Sequence, residues 1–115
     1  MRRGEVRLVD LEPVRGNEAN KRRPAVLVSN DQANATADRL GRGVVTVVPL
    51  SSNVERVFAF QTFVPSAVSG LRVDSKAQAE QVRAVAVERV GPVLGRVPEA
   101  HMLALDDALR LHLAL

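Results

Sequence analysis

The chain has 115 residues, a formal net charge of +3 and no cysteine, and its length is typical of one domain. Without cysteine it can form neither a disulfide framework nor a thiolate zinc site, and it has no thiol nucleophile. A hydrophobic content of 46% excludes a disordered chain, and no apolar run approaches the roughly 20 residues of a membrane span. The basic start Met1–Glu5 leads into charged residues rather than a signal-peptide core. We therefore expect a single globular domain over residues 1–115, in the cytoplasm and without a membrane partner.

The composition is unusual in its basic and aromatic residues. Of the 16 basic residues, 14 are arginine, whereas the aromatic residues are three phenylalanines, with no tyrosine or tryptophan. A basic chain suggests an anionic partner, unless the arginines only reflect the base composition of the genome. Proteins that bind single strands by stacking bases use several aromatic rings, so the composition argues against a base-stacking platform.

Apolar patterning in the first half of the chain predicts three strands, over Gly4–Leu11, Arg23–Asn30 and Val44–Leu50. Because Ala25–Val28 is apolar at every position, the second strand should be buried on both faces. The polar segment Glu12–Arg22 is predicted to be a loop, and loops of this length in small domains are usually functional or disordered. A short helix is predicted over Asn30–Leu40, with Ser29 or Asn30 as its N-cap.

The second half predicts a strand over Val57–Val64, with Phe58 and Phe60 on one face, and weaker strands over Val73–Gln81 and Pro92–Val97. The C-terminal segment has the clearest helical pattern. Its apolar residues recur at spacings of three and four after a proline suited to the first helical position, namely Met102, Leu105, Leu109 and Leu113 after Pro98. Five or six short strands and a terminal helix predict a mainly β fold, either a small barrel or a curled antiparallel sheet, with a short internal helix.

Metal and histidine chemistry has little support in the sequence. His101 and His112 lie eleven residues apart on the predicted terminal helix, which separates them by about 16 Å at a 1.5 Å rise per residue. They cannot share an ion. Asp106 and Asp107 are adjacent on that helix and diverge, as expected of a solvated face. We therefore expect neither a metal site nor a cofactor.

A basic cluster, Lys21-Arg22-Arg23, stands directly before Pro24. The proline favours an extended backbone at Arg23, so the sheet should fix the orientation of this side chain. A guanidinium on a rigid element can bind a phosphate through two parallel hydrogen bonds. Lys21 and Arg22 are assigned to the preceding loop and would supply looser charge. The alternative is a solvated loop end without a ligand.

Two further polar clusters follow predicted strands. Ser51, Ser52 and Asn53 come directly after a buried strand, where a scaffold can position loop side chains. The other cluster is the segment from Asp74-Ser75-Lys76 to Glu80-Gln81-Val82-Arg83. Gln81 and Arg83 alternate with Val82 in it, so both are expected on one surface. An ordinary serine-rich turn and an exposed edge strand are the corresponding alternatives.

Four of these segments, in order and at compatible spacing, resemble motifs of the MazF/PemK endoribonuclease toxins of bacterial toxin–antitoxin pairs, and the arginine-rich and alanine-rich composition is most similar to mycobacterial members. The final helix, which ends in Leu-Ala-Leu, is similar too. The matching segments are Gly4-Glu5-Val6 with Asp10-Leu11, Gly16-Asn17-Glu18 with Arg23-Pro24, Val48 to Asn53, and Asp74-Ser75 with Gln81-Val82-Arg83.

The resemblance implies a small SH3-like barrel with the C-terminal helix packed on it. It implies a homodimer that cuts single-stranded RNA at short sequences without a metal ion and leaves a 2′,3′-cyclic phosphate and a 5′-hydroxyl. It also implies a MazE-like antitoxin whose flexible C-terminal tail lies across the groove of the dimer. This chemistry needs no metal in principle, because RNA carries its own nucleophile, the 2′-hydroxyl beside the scissile phosphate.

The resemblance also implies roles for individual residues. Arg23 matches the family's catalytic arginine and would stabilise the charge of the phosphorane, since its side chain stays protonated at neutral pH. Ser51 stands where the family has a catalytic threonine, so the hydroxyl is kept and the methyl group that stiffens χ1 is lost. Ser52 is a stand-in for it. Glu18 is a candidate general base, or else it orients Arg23 or the RNA. Substrate contacts would come from Asn17, Lys21, Arg22, Ser52, Asn53, Gln81 and Arg83.

Two other functions fit the same fold. A CcdB-like gyrase poison acts through a C-terminal Trp-Gly-Ile ending, whereas this chain has no tryptophan and ends in Leu113-Ala114-Leu115. An inactive RNA-binding module remains an alternative because of the serine at position 51.

Overall fold

The computed structural model describes residues 1–11 and 22–115, which form seven strands and three α-helices. The strands are β1 Glu5–Asp10, β2 Arg22–Leu27, β3 Val44–Ser51, β4 Gln61–Val64, β5 Ser75–Gln78, β6 Arg83–Ala86 and β7 Val90–Arg96. The helices are α1 Asp31–Leu40, α2 Ser66–Ser69 and α3 Glu99–Leu113, and short 3₁₀ turns span Ala79–Gln81 and Val87–Arg89. The prediction of a mainly β fold with an internal and a C-terminal helix is confirmed.

All strand pairs are antiparallel, in the order β4-β5-β3-β2-β1-β7, and β6 also pairs with β3. One edge of β3 carries β2, whereas β6 and β5 follow each other along the opposite edge. Among the described residues, β4 and β7 each pair on one edge only, so the sheet is open rather than a closed barrel.

The sheet is buried on both faces, as the continuous apolar run in β2 predicted. Val26 contributes to an apolar cluster that also contains residues of α3, whereas Ala25 and Leu27 contribute to a second cluster with Ala37 of α1. All three β2 residues are fully buried. Because successive side chains of a strand point to opposite faces, a strand between two such clusters must be apolar at every position. Burying one large aliphatic side chain stabilises the fold by about 1.5–3 kcal/mol.

The helix ends follow from local chemistry. Asn30 rather than Ser29 caps α1, since its Oδ1 accepts a hydrogen bond from the backbone N–H of Ala33 at 2.8 Å. Pro98 has an extended backbone and immediately precedes α3 instead of occupying its first helical position. In the described parts of the chain, no helix is long and apolar enough to cross a membrane.

The apolar stripe of α3 is shorter than the spacing predicted. Met102 and Leu105 are buried together with Ala108, and Leu109 is partly buried, whereas Leu113 is 49% exposed. The helix therefore packs on the sheet through its first three turns, and its last turn carries apolar side chains that face solvent.

The predicted strand over Val57–Val64 is wrong in its first half, because β4 begins only at Gln61. The backbone N–H of Gln61 donates to the carbonyl of Phe58 at 2.9 Å, and the side-chain Oε1 of Gln61 accepts from the N–H of Phe58 at 3.1 Å. These two hydrogen bonds close a tight turn directly before β4. Similarly, the predicted strand over Val73–Gln81 is ordered as a strand only at Ser75–Gln78.

Candidate functional site

Arg23 and Ser51 lie on neighbouring strands and on the same face of the sheet. The last pair of the β2–β3 ladder at this end is Ala25 with Pro49, so Arg23 and Ser51 each lie two residues beyond it. Arg23 is exposed and Ser51 half-buried. The two predicted catalytic residues that the structure describes therefore lie at the same end of the ladder, beyond the cluster that contains Ala25 and Val47.

Arg22 belongs to β2, which corrects its assignment to the preceding loop. It pairs in register with Asp10 of β1, and a carboxylate opposite a guanidinium on adjacent strands is a stabilising cross-strand pair. A shallow cleft of about 160 Å³ lies beside the pair and is lined in part by Glu88 and Arg89. The strand begins one residue earlier than predicted, at Arg22, because β1 supplies an antiparallel partner for that residue.

The segment after β3 is held by its own side chains. The Oγ of Ser51 accepts a hydrogen bond from the N–H of Asn53 at 3.2 Å, and the Oδ1 of Asn53 accepts from the N–H of Glu55 at 3.3 Å. Such local bonds form the turn that serine and asparagine favour. Ser52 and Asn53 are exposed. The serine hydroxyl beside Arg23 is thus already oriented by the turn that follows it.

Gln81 and Arg83 approach the same strand from its other edge. Arg83 lies opposite Val47 in the β3–β6 register, so it shares the face of Arg23 and Ser51, and its Nη1 donates to the carbonyl of Leu11 at 3.3 Å. Gln81 ends a 3₁₀ turn and is exposed. The alternation that placed both on one surface therefore does not apply, because only Arg83 lies in a strand.

Three predicted site residues, Asn17, Glu18 and Lys21, lie outside the described residues. The described residues that border them are Leu11, which directly follows β1, and Arg22, the first residue of β2.

Sequence reasoning assigned no role to Lys76, Gln61 and Glu80, whose polar side chains lie behind the site. Lys76 is 8% exposed, pairs in register with Ser51, and donates from Nζ to the carbonyl of Arg56 at 2.8 Å. Gln61 is equally buried and donates from Nε2 to the Oε2 of Glu80 at 2.7 Å. Lysine and glutamine side chains are usually exposed, so the sequence did not indicate that Lys76 and Gln61 are buried.

Two motif residues from the sequence have structural roles. The Asp74 carboxylate accepts a hydrogen bond from the backbone N–H of Ser66 at 2.8 Å, and this bond, with a second one from the Ser66 hydroxyl, lowers the pKa of Asp74. It thereby satisfies the first turn of α2. Ser75 is buried. Among residues 1–11 and 22–115, no three acidic or histidine side chains are grouped as a metal site would require.

An apolar cleft of about 410 Å³ opens next to Pro24, the neighbour of Arg23. Val73, Val93 and Leu94 line it and are all substantially exposed. Exposed apolar side chains grouped in a concave surface are typical of interaction sites. This surface is formed by β2, β7 and the segment that leads into β5, beside Arg23.

Comparison with known proteins places these features in context. Residues 2–113 match the model of the PemK-like, MazF-like toxins of type II toxin–antitoxin systems. The chain is 59% identical over 115 residues to endoribonuclease MazF9 of Mycobacterium tuberculosis, and the alignment covers all of this chain and 98% of the relative. Its fold is similar to the M. tuberculosis toxin MazF-mt6, with a TM-score of 0.76 and 22% identity over 96% of this chain and 97% of the other. A mycobacterial endoribonuclease solved with its cognate antitoxin also has a TM-score of 0.76, at 24% identity over 100% and 96% of the two chains.

Proposed function

Because the chain belongs to the PemK-like, MazF-like toxins of type II toxin–antitoxin systems, it is a toxin and an endoribonuclease, and we propose that it cuts single-stranded RNA in the cytoplasm without a metal ion. The 2′-oxygen of one nucleotide attacks the adjacent phosphorus, a new O–P bond forms, and the bond to the 5′-oxygen breaks. The products are a 2′,3′-cyclic phosphate and a 5′-hydroxyl. One proton leaves the 2′-hydroxyl and another is delivered to the departing 5′-oxygen.

The position of Arg23 and Ser51, each two residues beyond the Ala25–Pro49 pair of neighbouring strands, is the observation that carries this proposal. Cleavage by an internal nucleophile requires an in-line geometry and stabilisation of the charge on the phosphorane. A guanidinium and a hydroxyl on neighbouring strands of a rigid sheet supply two donors for non-bridging oxygens of one phosphate. Arg83 on the same face adds positive charge.

In this mechanism Arg23 stabilises the phosphorane and assists the departing 5′-oxygen, and Ser51 donates a hydrogen bond to the phosphate. Glu18 accepts the proton of the 2′-hydroxyl. Glu18 is close to Arg23 in the sequence, which supports this role. Ser52 is adjacent to Ser51 and offers a second hydroxyl.

Substrate contacts come from side chains around this pair. They read bases that are splayed out of a single strand, through hydrogen bonds and through guanidinium planes. We assign them to Asn17, Lys21, Arg22, Ser52, Asn53, Gln81 and Arg83. Arg22 and Arg83 both have interaction partners in the structure, and the hydrogen bond from Arg83 Nη1 to the Leu11 carbonyl orients that guanidinium before RNA binds.

The partners we propose are a second copy of the chain and a MazE-like antitoxin whose flexible tail lies across the groove of the homodimer. The exposed apolar cleft beside Pro24 supports an interface at this end of the sheet. The exposed leucines in the last turn of α3, such as Leu111 and Leu113, support a further contact surface.

Cleavage of a long, varied transcript in the presence of EDTA tests the proposed function. We expect discrete cuts at a short recurrent sequence, and fragments that carry a cyclic phosphate and a 5′-hydroxyl. Light scattering of the same sample establishes that the protein is folded and dimeric. A folded dimer that leaves the transcript intact, or that cuts it only after a divalent ion is added, would contradict the proposal.

A substitution series at position 51 tests the role of the hydroxyl. Ser51→Ala should lower the cleavage rate by about 10²-fold, as loss of one donor to a developing oxyanion does. Ser51→Thr should keep or increase the rate, because the hydroxyl remains and χ1 becomes more restricted. The measurement is the single-turnover rate on one mapped site. Equal rates for Ser51→Ala and the unchanged protein would transfer the role to Ser52, which Ser52→Ala then tests.

A further inference from the structure

We propose that Arg56, Phe58 and Phe60 form a stacking subsite for an unpaired base of the RNA substrate, a proposal that rests on the proposed function. The phenyl rings of Phe58 and Phe60 are stacked, with centroids 5.2 Å apart and planes inclined by 3°. The guanidinium carbon of Arg56 lies 4.8 Å from the centroid of the Phe58 ring. Two of the three aromatic residues in the chain thus form one column with a cation.

The column is accessible to a ligand. Phe58 is 39% exposed, Arg56 is exposed and Phe60 half-buried. An aromatic pair that only served the core would be buried, whereas these rings belong to neither apolar cluster. Their exposure leaves π surface in contact with water, which a base can replace.

Buried polar side chains hold the segment that carries the column. Lys76, 8% exposed, donates from Nζ to the Arg56 carbonyl at 2.8 Å. Gln61, also 8% exposed, bonds the N–H of Phe58 and is itself held by Glu80. Burying a charged ammonium group costs free energy unless it is paired, and here it is used to fix a loop carbonyl. The column is therefore preorganised, which reduces the entropy that an ordered ligand contact costs.

The column is connected directly to the candidate catalytic pair. Ser51 and Lys76 are cross-strand partners on one face of the sheet, and one lysine side chain spans from there to the backbone of Arg56. The turn from Ser51 through Asn53 leads into the same segment. A strand of RNA whose phosphate lies at Arg23 and Ser51 can therefore place a neighbouring base on an exposed end of the column.

The chemistry of the column fits a nucleotide. Stacking of bases on aromatic rings tolerates any base and is strengthened by arginine planes, and the Arg56 guanidinium can pair with a phosphate of the same strand. The scarcity of aromatic residues in the chain therefore does not exclude a stacking contact, because the fold brings two of them together at the site.

The test is RNA binding by the Arg23→Ala protein, which removes cleavage from the measurement. Fluorescence anisotropy with a labelled oligonucleotide that contains the mapped cleavage site gives the dissociation constant. Adding Phe58→Leu should weaken binding by about 5- to 100-fold, the range measured for loss of one stacked base. Phe58→Trp should bind as tightly as Phe58 or more tightly, because it keeps a π face that leucine lacks.

Val57→Ala is the matched control, since Val57 lies in the same segment and is 38% exposed. It should bind RNA like the Arg23→Ala parent. Thermal unfolding of all variants checks that the loop substitutions leave the fold intact. Equal binding by Phe58→Leu and Val57→Ala would overturn the proposal, as would a loss confined to antitoxin binding, which would assign the column to a protein partner. If the unchanged protein cuts no RNA but Phe58→Leu still weakens binding, the subsite stands and only the proposed cleavage fails.

Discussion

Arg23→Ala is expected to lower the single-turnover cleavage rate by about 10²–10³-fold, the effect of removing one preorganised donor from a developing oxyanion. The residue lies in β2 two positions before its buried part, at the same end of the β2–β3 ladder as Ser51. Arg23→Lys keeps the charge but loses the planar guanidinium that binds two oxygens at once. Its cleavage rate should therefore lie between that of Arg23→Ala and that of the unchanged protein. The rate is measured at saturating protein on one mapped site.

Arg39→Ala is the control for a general loss of positive charge. Arg39 is exposed in the last turn of α1, which leads to the start of β3, the opposite end from Ser51. This variant should cleave at the unchanged rate. Both substitutions are at exposed positions and should shift the free energy of unfolding by no more than about 0.5 kcal/mol. A similar decrease for both would mean that Arg23 acts only through net charge.

Leu105→Ala is expected to lower the free energy of unfolding by about 2–5 kcal/mol, the cost of a cavity in a packed core. Leu105 is fully buried in the cluster that joins α3 to Val6, Val26 and Val48. The midpoint of urea unfolding measures the change. Protein concentration must be the same for both samples, because the stability of a dimer depends on it.

Leu103→Ala provides the comparison on the same helix. Leu103 is 60% exposed, and alanine is the better helix former, so this substitution should change the stability of the isolated chain by less than about 0.5 kcal/mol. A large loss at Leu103 would show that the exposed face of α3 is covered in the assembled protein. A loss below 1 kcal/mol at Leu105 would contradict the packing of α3 on the sheet.

Local patterning was a good guide where one interaction dominates. The continuous apolar run of β2 predicted burial on both faces, and the fully buried Ala25, Val26 and Leu27 confirm it. Asn30 was one of two caps considered for α1, and the choice depended on which side chain reaches the N–H of Ala33. The segment before Gln61 was mistaken for strand because its alternating apolar residues look like a sheet face, although they stack on each other outside it.

The candidate site was only partly predictable, because local patterning does not reveal hydrogen bonds between residues far apart in the chain. Arg23 and Ser51 were identified from motifs and from their places next to buried strands, and these places follow from short-range patterning. Lys76, Gln61 and Glu80 gave no such signal, since their roles depend on hydrogen bonds to residues 19 or 20 positions away, and to Phe58 across a turn.

The sequence by itself determined the mainly β class, the central buried strands and the terminal helix. These features follow from periodicity, whereas the role of Arg23 beside Pro24 was inferred from the resemblance and stays a prediction. Only the tertiary structure decided which strands are neighbours, and therefore that Arg23 and Ser51 lie at the same end of the β2–β3 ladder and that β5 and β6 share an edge of β3. Only the tertiary structure also showed how the segment of Arg56 is held, because the hydrogen bond from Lys76 comes from a residue 20 positions away and no local pattern encodes it.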